Sequence, residues 1–397
     1  MLSVTEALER VLAGAEPLIT ETVPLASAHE RVLAADLPAR LSQPPFPSSA
    51  MDGYAVRRAD VETLPAKLTI IGESAAGRPF PGKTGEGETV RIFTGAAVPD
   101  GADYIVIQEN VMAENGVATI RERNAESCIR DAGVDFKQGQ VLLRGEHRLN
   151  ARDLLLAAQM NYAELTVYRQ PHAAILASGD ELLPPGSELA AGQIISSIPA
   201  GLGAMLDKAG ARVTQLGIAR DTMDSLLERV EASRGADLLI TIGGASVGDH
   251  DLVHPALEKS GFTMNFHKIA MRPGKPLMLG ARGDQRVLGL PGNPISAMIC
   301  TTIFVLPLIA ALSGNRGFSQ NEELVPLAAP IPENGSRTHY MRAFTRTEGG
   351  QRKVETLPSQ DSSLTATLAR ADCLIIRQPH APAASTGEIV RIHPITF

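Results

Sequence analysis

Residues 243–251 read GGASVGDHD and directly follow an apolar run, 238–242, of the kind that fills a buried strand. Gly243 and Gly244 let backbone N–H groups approach a phosphate without a Cβ in the way. Ser246 adds a hydroxyl donor, and Asp249 and Asp251 are placed to hold a magnesium ion against a pyrophosphate. The plainer alternative is a tight loop whose acids cap the next helix. Residues 271–276, MRPGKP, stiffen a turn that displays Arg272 and Lys275 before Pro276, with Lys268 four residues ahead of Arg272. Cations fixed in this way suit a small dianion or phosphate, although a solvated basic turn has the same composition. Residues 290–296, LPGNPIS, put Asn293 at an N-cap position, Pro294 at the first helical position and Ser296 in the first turn. Such a helix start is an anion site as well as a core element. Residues 178–182, SGDEL, end another strand with Glu181, and Asp221 follows strand 213–218. Glu181, Asp221, Asp249 and Asp251 facing Lys268, Arg272 and Lys275 form the set that metal-assisted cleavage of a phosphoanhydride requires.

Other positions carry less chemistry. Asp52 lies in SAMDGYA (49–55) and Thr94 in IFTGA (92–96), while Arg130 and Asp135 flank another glycine turn; by residue type alone these are turns. The nine histidines show no metal spacing, and His250, between acids, is either a proton carrier or a surface residue. Cys128, Cys300 and Cys373 share no motif and are expected as reduced thiols.

The elements that must position these groups follow from pattern. Continuous apolar strands (172–177, 213–218, 237–242, 263–266, 277–279, 287–290) alternate with helices (198–209, 223–233, 252–260 and one from 294). That alternation predicts an α/β multidomain chain whose parallel sheet, spanning 171–318, is covered on both faces and binds ligands beyond the carboxyl ends of its strands. Residues 1–40 and 136–170 read as an elongated N-terminal domain, with helices at 1–12, 28–35 and 150–159 and strands at 22–25 and 163–168. Between them, 41–135 is rich in Gly and Pro with short β-type runs, an inserted β-rich domain; 319–397 reads as a C-terminal β-barrel. The stretch 295–312 is long and apolar but carries Pro307 and is expected as a buried helix, and residues 1–12 lack the apolar run of a signal peptide, so a cytoplasmic protein is expected. A net charge of −7 argues against a nucleic-acid partner.

Six of these segments in order, PSSAMDGYA (47–55), IFTGAAVP (92–99), SGDEL, GGASVGDHD, MRPGKP and LPGNPIS, resemble the molybdopterin molybdenumtransferase family, bacterial MoeA and the gephyrin E domain. The resemblance implies an elongated four-part subunit that forms a homodimer, with a third part similar to the molybdopterin-adenylyltransferase fold. It implies adenylyl-molybdopterin and molybdate as substrates, Mg2+ as the cofactor, and AMP as the leaving product. It further implies that Asp52 and Thr94 act from the inserted domain across the cleft to the partner subunit. Glu181, Asp221 and Asp251 would handle the metal and the phosphoanhydride, and Arg272, Lys275 and Ser296 the molybdate, with Arg342, Ser362 and Ser363 added by the fourth domain. Contacts with the molybdopterin adenylyltransferase and with cofactor-accepting molybdoenzymes belong to the same expectation. Arg272 stands where many relatives carry lysine.

Two other readings compete. The preceding adenylyltransferase would share the α/β part but would not need the first 170 residues or the last 75 or so. A non-catalytic scaffold would have lost part of the acidic or cationic set, and both are present here.

Overall fold

The computed structural model describes residues 1–244 and 252–395; of Phe266 and His267 only the backbone is described. At its centre lies strand His172–Ser178, with Arg212–Ala219 parallel on one side and Leu238–Ile242 parallel on the other. Gln285–Leu290 adds a fourth parallel strand. Pro276–Arg282 and Thr263–Lys268 then run antiparallel, so the expected parallel sheet is mixed at this edge. The reason is local: Arg282 pairs with Gln285 across Gly283 (φ +58°), and so tight a connection returns the chain antiparallel.

Side chains of the sheet alternate between two cores. Ala173, Ile175, Leu238 and Ile240 pack with helices Ile198–Lys208 and Pro294–Cys300. Ala174, Leu176 and Leu239 pack with helices Met223–Glu231 and Val253–Lys259. Because the chain crosses first to one side of His172–Ser178 and next to the other, the carboxyl ends of His172–Ser178 and Leu238–Ile242 flank a topological switch point.

Helical backbone runs on from Pro294 to Leu312, long and apolar enough to cross a membrane but 83% buried in the protein. Thr301–Val305 within it is a π-helical turn. Pro307 has no N–H for the Ile303 carbonyl, and the Gln320 side chain donates to that oxygen at 2.9 Å instead.

The first helix, Val4–Leu12, starts with a reciprocal cap between Ser3 and Glu6 and buries Ala7 and Val11 in the α/β core. Its apolar stripe therefore joins the sheet domain rather than the elongated part to which sequence assigned it. The helix expected over 28–35 does not form. Glu30 takes φ +63°, and Val32 and Leu33 bridge Arg148 and Val167, so tertiary pairing overrides an amphipathic pattern. Helix Ala151–Gln159 does form, capped by Asn150. The inserted region builds a six-stranded sheet around Gly53–Val56, Glu88–Ile92 and Ala66–Ser74. The C-terminal region builds another six-stranded sheet, whose edge strand, Met271–Arg272, comes from the α/β region and runs parallel to Thr338–Glu348.

Candidate active site

Three loops meet at the switch point. A Cβ on Gly243 (φ +89°) would lie 2.8 Å from the Ser178 carbonyl oxygen, so the close approach of these two strand ends depends on glycine. A Cβ on Gly292 would lie 3.7 Å from the Gly243 Cα, placing the third loop against the first two. Ser178, Glu181, Ile242, Gly243, Gly292 and Pro294 line a cavity of about 110 Å³, closed on its far side by residues 194–198. Ser196, Ser197 and the apolar Ile194, Ile195 and Ile198 in that wall carry no motif in the sequence. What could have marked them is the pairing of Leu182–Leu183 with Ile194–Ile195, which folds the segment back over the SGDEL turn.

Of the acids Glu181 lines this hollow, and Asp180 and Asp221 adjoin it through the same turn. Gly179 N–H donates to the Ala219 carbonyl, joining the SGDEL turn to the end of the neighbouring strand. Asp180 N–H donates to an Asp221 carboxylate oxygen at 3.4 Å, and Asp221 N–H donates to an Asp180 carboxylate oxygen at 3.2 Å. Burial raises the Asp221 carboxyl above the ordinary carboxylate range, and the charges of Asp180 and Glu181 push it the same way. Glu181 and Asp221 are thus brought together, and Asp180 is a neighbour that sequence reading left out of the set. Gly244 leads out of Gly243 with φ +63°. Ser246, Asp249, His250 and Asp251 lie outside the described residues. Among the described residues no three of His, Cys, Asp and Glu are grouped to hold a metal ion.

The helix beginning at Pro294 points its first turn toward the same loops. Asn293 occupies the N-cap position, yet its side chain makes no capping bond; its amide instead donates to Ser362 Oγ at 3.2 Å. The sequence-based expectation of a side-chain cap is therefore corrected, and the first-turn N–H groups are left without one. Ser296, 4% exposed, lies in that turn. The hydroxyl and N–H of Ser363 both donate to Asp361.

The basic turn does not line the cavity; it sits one helical turn further along. Cys300 follows Ser296 by four residues on the same helix face, and a Cβ on Gly274 (φ +108°) would lie 2.6 Å from its sulfur. Ile269 N–H donates to the Lys275 carbonyl and closes the turn, while Lys268 pairs with Pro276. Lys268, Arg272 and Lys275 are exposed. Arg342 is fully buried: one terminal nitrogen donates to the carbonyls of Ser359 and Asp361, and its Nε and Nη1 have no partner. His339, in register with Arg272, and Arg337 just before it were passed over by sequence reading. Pairing 67 residues apart in the chain brings them to the basic turn, and no local pattern announces it.

In the inserted region one Asp52 oxygen accepts from both the N–H and the hydroxyl of Thr94, each at 2.8 Å. These bonds, with the Arg91 charge, hold the Asp52 carboxyl below its usual range. The pair is brought together, and its bonds stay within the inserted region. Arg130 pairs with Ser48, and Asp135 N–H donates to the Gln43 carbonyl, at the base where the chain enters and leaves that region.

Comparison with known proteins covers almost the whole chain. Residues 2–161 match the MoeA N-terminal region (domain I and II), 174–311 a probable molybdopterin binding domain, and 325–395 the MoeA C-terminal region (domain IV). The molybdopterin molybdenumtransferase of Haemophilus influenzae is 35% identical over 99% of this chain and 98% of its own length. That of Bacillus subtilis is 33% identical over 98% and 93%. The crystal structure of a molybdopterin biosynthesis MoeA protein from Pyrococcus horikoshii superposes with a TM-score of 0.84, at 27% identity and complete coverage of both chains.

Proposed function

The chain belongs to the MoeA family of molybdopterin molybdenumtransferases, enzymes of molybdenum cofactor biosynthesis, and from that premise we propose that it inserts molybdate into adenylyl-molybdopterin with magnesium-dependent release of AMP. The observation that carries this reading is the meeting of the Ser178–Glu181, Gly243 and Gly292–Pro294 loops on one cavity at the switch point. Backbone N–H groups at a helix start suit the phosphates, and an apolar wall suits the pterin.

The like charges of Asp180 and Glu181 add to burial in raising Asp221, and a divalent cation would relieve them, with Asp251 needed to complete its ligands. Glu181 and Asp221 would hold magnesium together with Asp251, and the ion when bound would neutralise charge on the pyrophosphate. The chain's own groups do the rest. Gly243 and Gly244 admit the diphosphate, and Ser246 and Asp249 are assigned to it. Lys268, Arg272, Lys275, Pro276, Ser296, Arg342, Ser362 and Ser363 are assigned to molybdate, a tetrahedral dianion that cations and hydroxyls bind. The pterin supplies sulfur to the metal, so none of Cys128, Cys300 and Cys373 is needed as a ligand.

Asp52 and Thr94, bonded to each other in the inserted region, are assigned to the site of a second copy of the chain in a homodimer, with Arg130 and Asp135 contributing at the base of that region. A cytoplasmic location, hand-over from the molybdopterin adenylyltransferase and delivery to molybdoenzymes complete the proposal. Incubation of the purified protein with adenylyl-molybdopterin, magnesium and molybdate tests it. AMP and active cofactor are expected together, and omission of either ion stops both.

A further inference from the structure

We propose that His339 is a further oxyanion-binding residue, one that takes up a proton as the dianion arrives. The proposal rests on the molybdate reading above and adds a residue to it.

Strand Thr338–Glu348 places His339 in register with Arg272 on the parallel side and with Arg377 on the antiparallel side. The ring is 7% exposed, and among the described residues it forms no hydrogen bond. Among the described residues the charges acting on it are positive: Arg272 from the basic turn, Arg342 from its own strand and Arg337 just before that strand. Arg377 opposite is turned to the carbonyls of Ala381 and Pro382. Arg342, three residues along the strand, points to the opposite face and acts on the ring only through its charge. A buried ring beside cations, with no carboxylate acting on it among the described residues, suits an anion.

In this field the ring is neutral at physiological pH, since burial and the three arginines push its pKa down to about 4. A dianion seated against the arginines reverses the field. The imidazole then gains a proton from solvent and becomes a fourth cation, so that binding and proton uptake are linked. Lys would stay charged and repel its neighbours in the free protein, whereas His carries charge when the ligand neutralises them.

Calorimetric titration of sodium molybdate into the full-length protein, in three buffers of different ionisation enthalpy between pH 6 and 8, reads the protons taken up. Wild type is expected to absorb protons and to bind more tightly as pH falls, approaching roughly tenfold per pH unit where uptake reaches one proton. His339→Gln is expected to bind more weakly at pH 6 with no uptake. Histidine-labelled protein followed by NMR, which needs no variant, is expected to show the His339 ring becoming imidazolium on molybdate addition. Binding without proton uptake, uptake unchanged in H339Q, or a ring that stays neutral overturns the inference while leaving the molybdate reading standing. Absence of molybdate binding in wild type removes that reading and the inference with it.

Discussion

Asp180 and Asp221 each hold the other's backbone: the N–H of each donates to the other's carboxylate, at 3.4 and 3.2 Å. Two turns from neighbouring parallel strands are thereby locked with their negative charges side by side. The arrangement costs stability when no cation is present, and this gives the acidic edge a measurable signature.

For Asp221 the sign is set by a carboxyl pKa raised in the folded state. The folded protein binds the proton more tightly than the unfolded chain, so stability is greatest at low pH and falls as pH rises from the ordinary carboxylate value through the raised one. Asp221→Asn keeps an acceptor for Asp180 N–H and removes one charge. The variant is expected to melt higher than wild type at pH 7 in the absence of magnesium. Added magnesium chloride raises the wild-type Tm and leaves that of D221N unchanged; equal magnesium responses would remove Asp221 from the metal site.

Asp52 and Thr94 offer a test of the composite site. Asp52→Ala and Glu181→Ala are each expected to abolish AMP release as homodimers. If each site takes the inserted region of one subunit and the α/β region of the other, a mixed dimer of the two variants has one intact site and one doubly altered. Activity of about half the wild-type value per dimer is then expected. Inactive mixed dimers would place both residues in the same subunit's site.

At the helix start, Asn293→Asp puts a carboxylate where no side-chain cap is made. It is expected to stabilise the protein by about 0.3–1 kcal/mol through the helix dipole. The same charge occupies the first-turn N–H groups, so affinity for the adenylyl-pterin falls. Denaturant midpoint and ligand titration should move in opposite directions. A parallel loss of both would show that the Asn293–Ser362 bond is the main role of this residue.

Arg272→Ala is expected to raise the molybdate concentration for half-maximal rate while leaving adenylyl-pterin binding unchanged. Arg272→Lys should fall between, because the charge survives and the planar fork does not. An unchanged molybdate titration in R272A would place the anion elsewhere.

Much of this architecture is legible in the chain. Each Gly-rich or acidic cluster follows an apolar strand, and that rule alone collects Ser178, Glu181, Gly243 and Gly292 at one sheet edge. Helix starts with strong caps, Ser3 and Asn150, are equally readable. What escapes is set by contacts distant in sequence. Residues 28–35 have helical periodicity, but Val32 and Leu33 find bridging partners more than 100 residues away. The strand Met271–Arg272 reads as part of a turn, since its partner lies in the C-terminal region. Arg337 and His339 reach the basic turn by the same pairing. Asn293 shows the subtler limit: its position was readable, but its bond to Ser362 depends on how two domains dock.

The central claim is that the acids at the switch point act on the phosphoanhydride, and single-turnover AMP release tests it most directly. Wild type and Glu181→Gln would be loaded with adenylyl-molybdopterin and mixed with magnesium and molybdate, with bound nucleotide measured beforehand in both. We expect both proteins to bind the nucleotide, and wild type to release AMP while Glu181→Gln retains it. AMP release at the wild-type rate by Glu181→Gln would contradict the account.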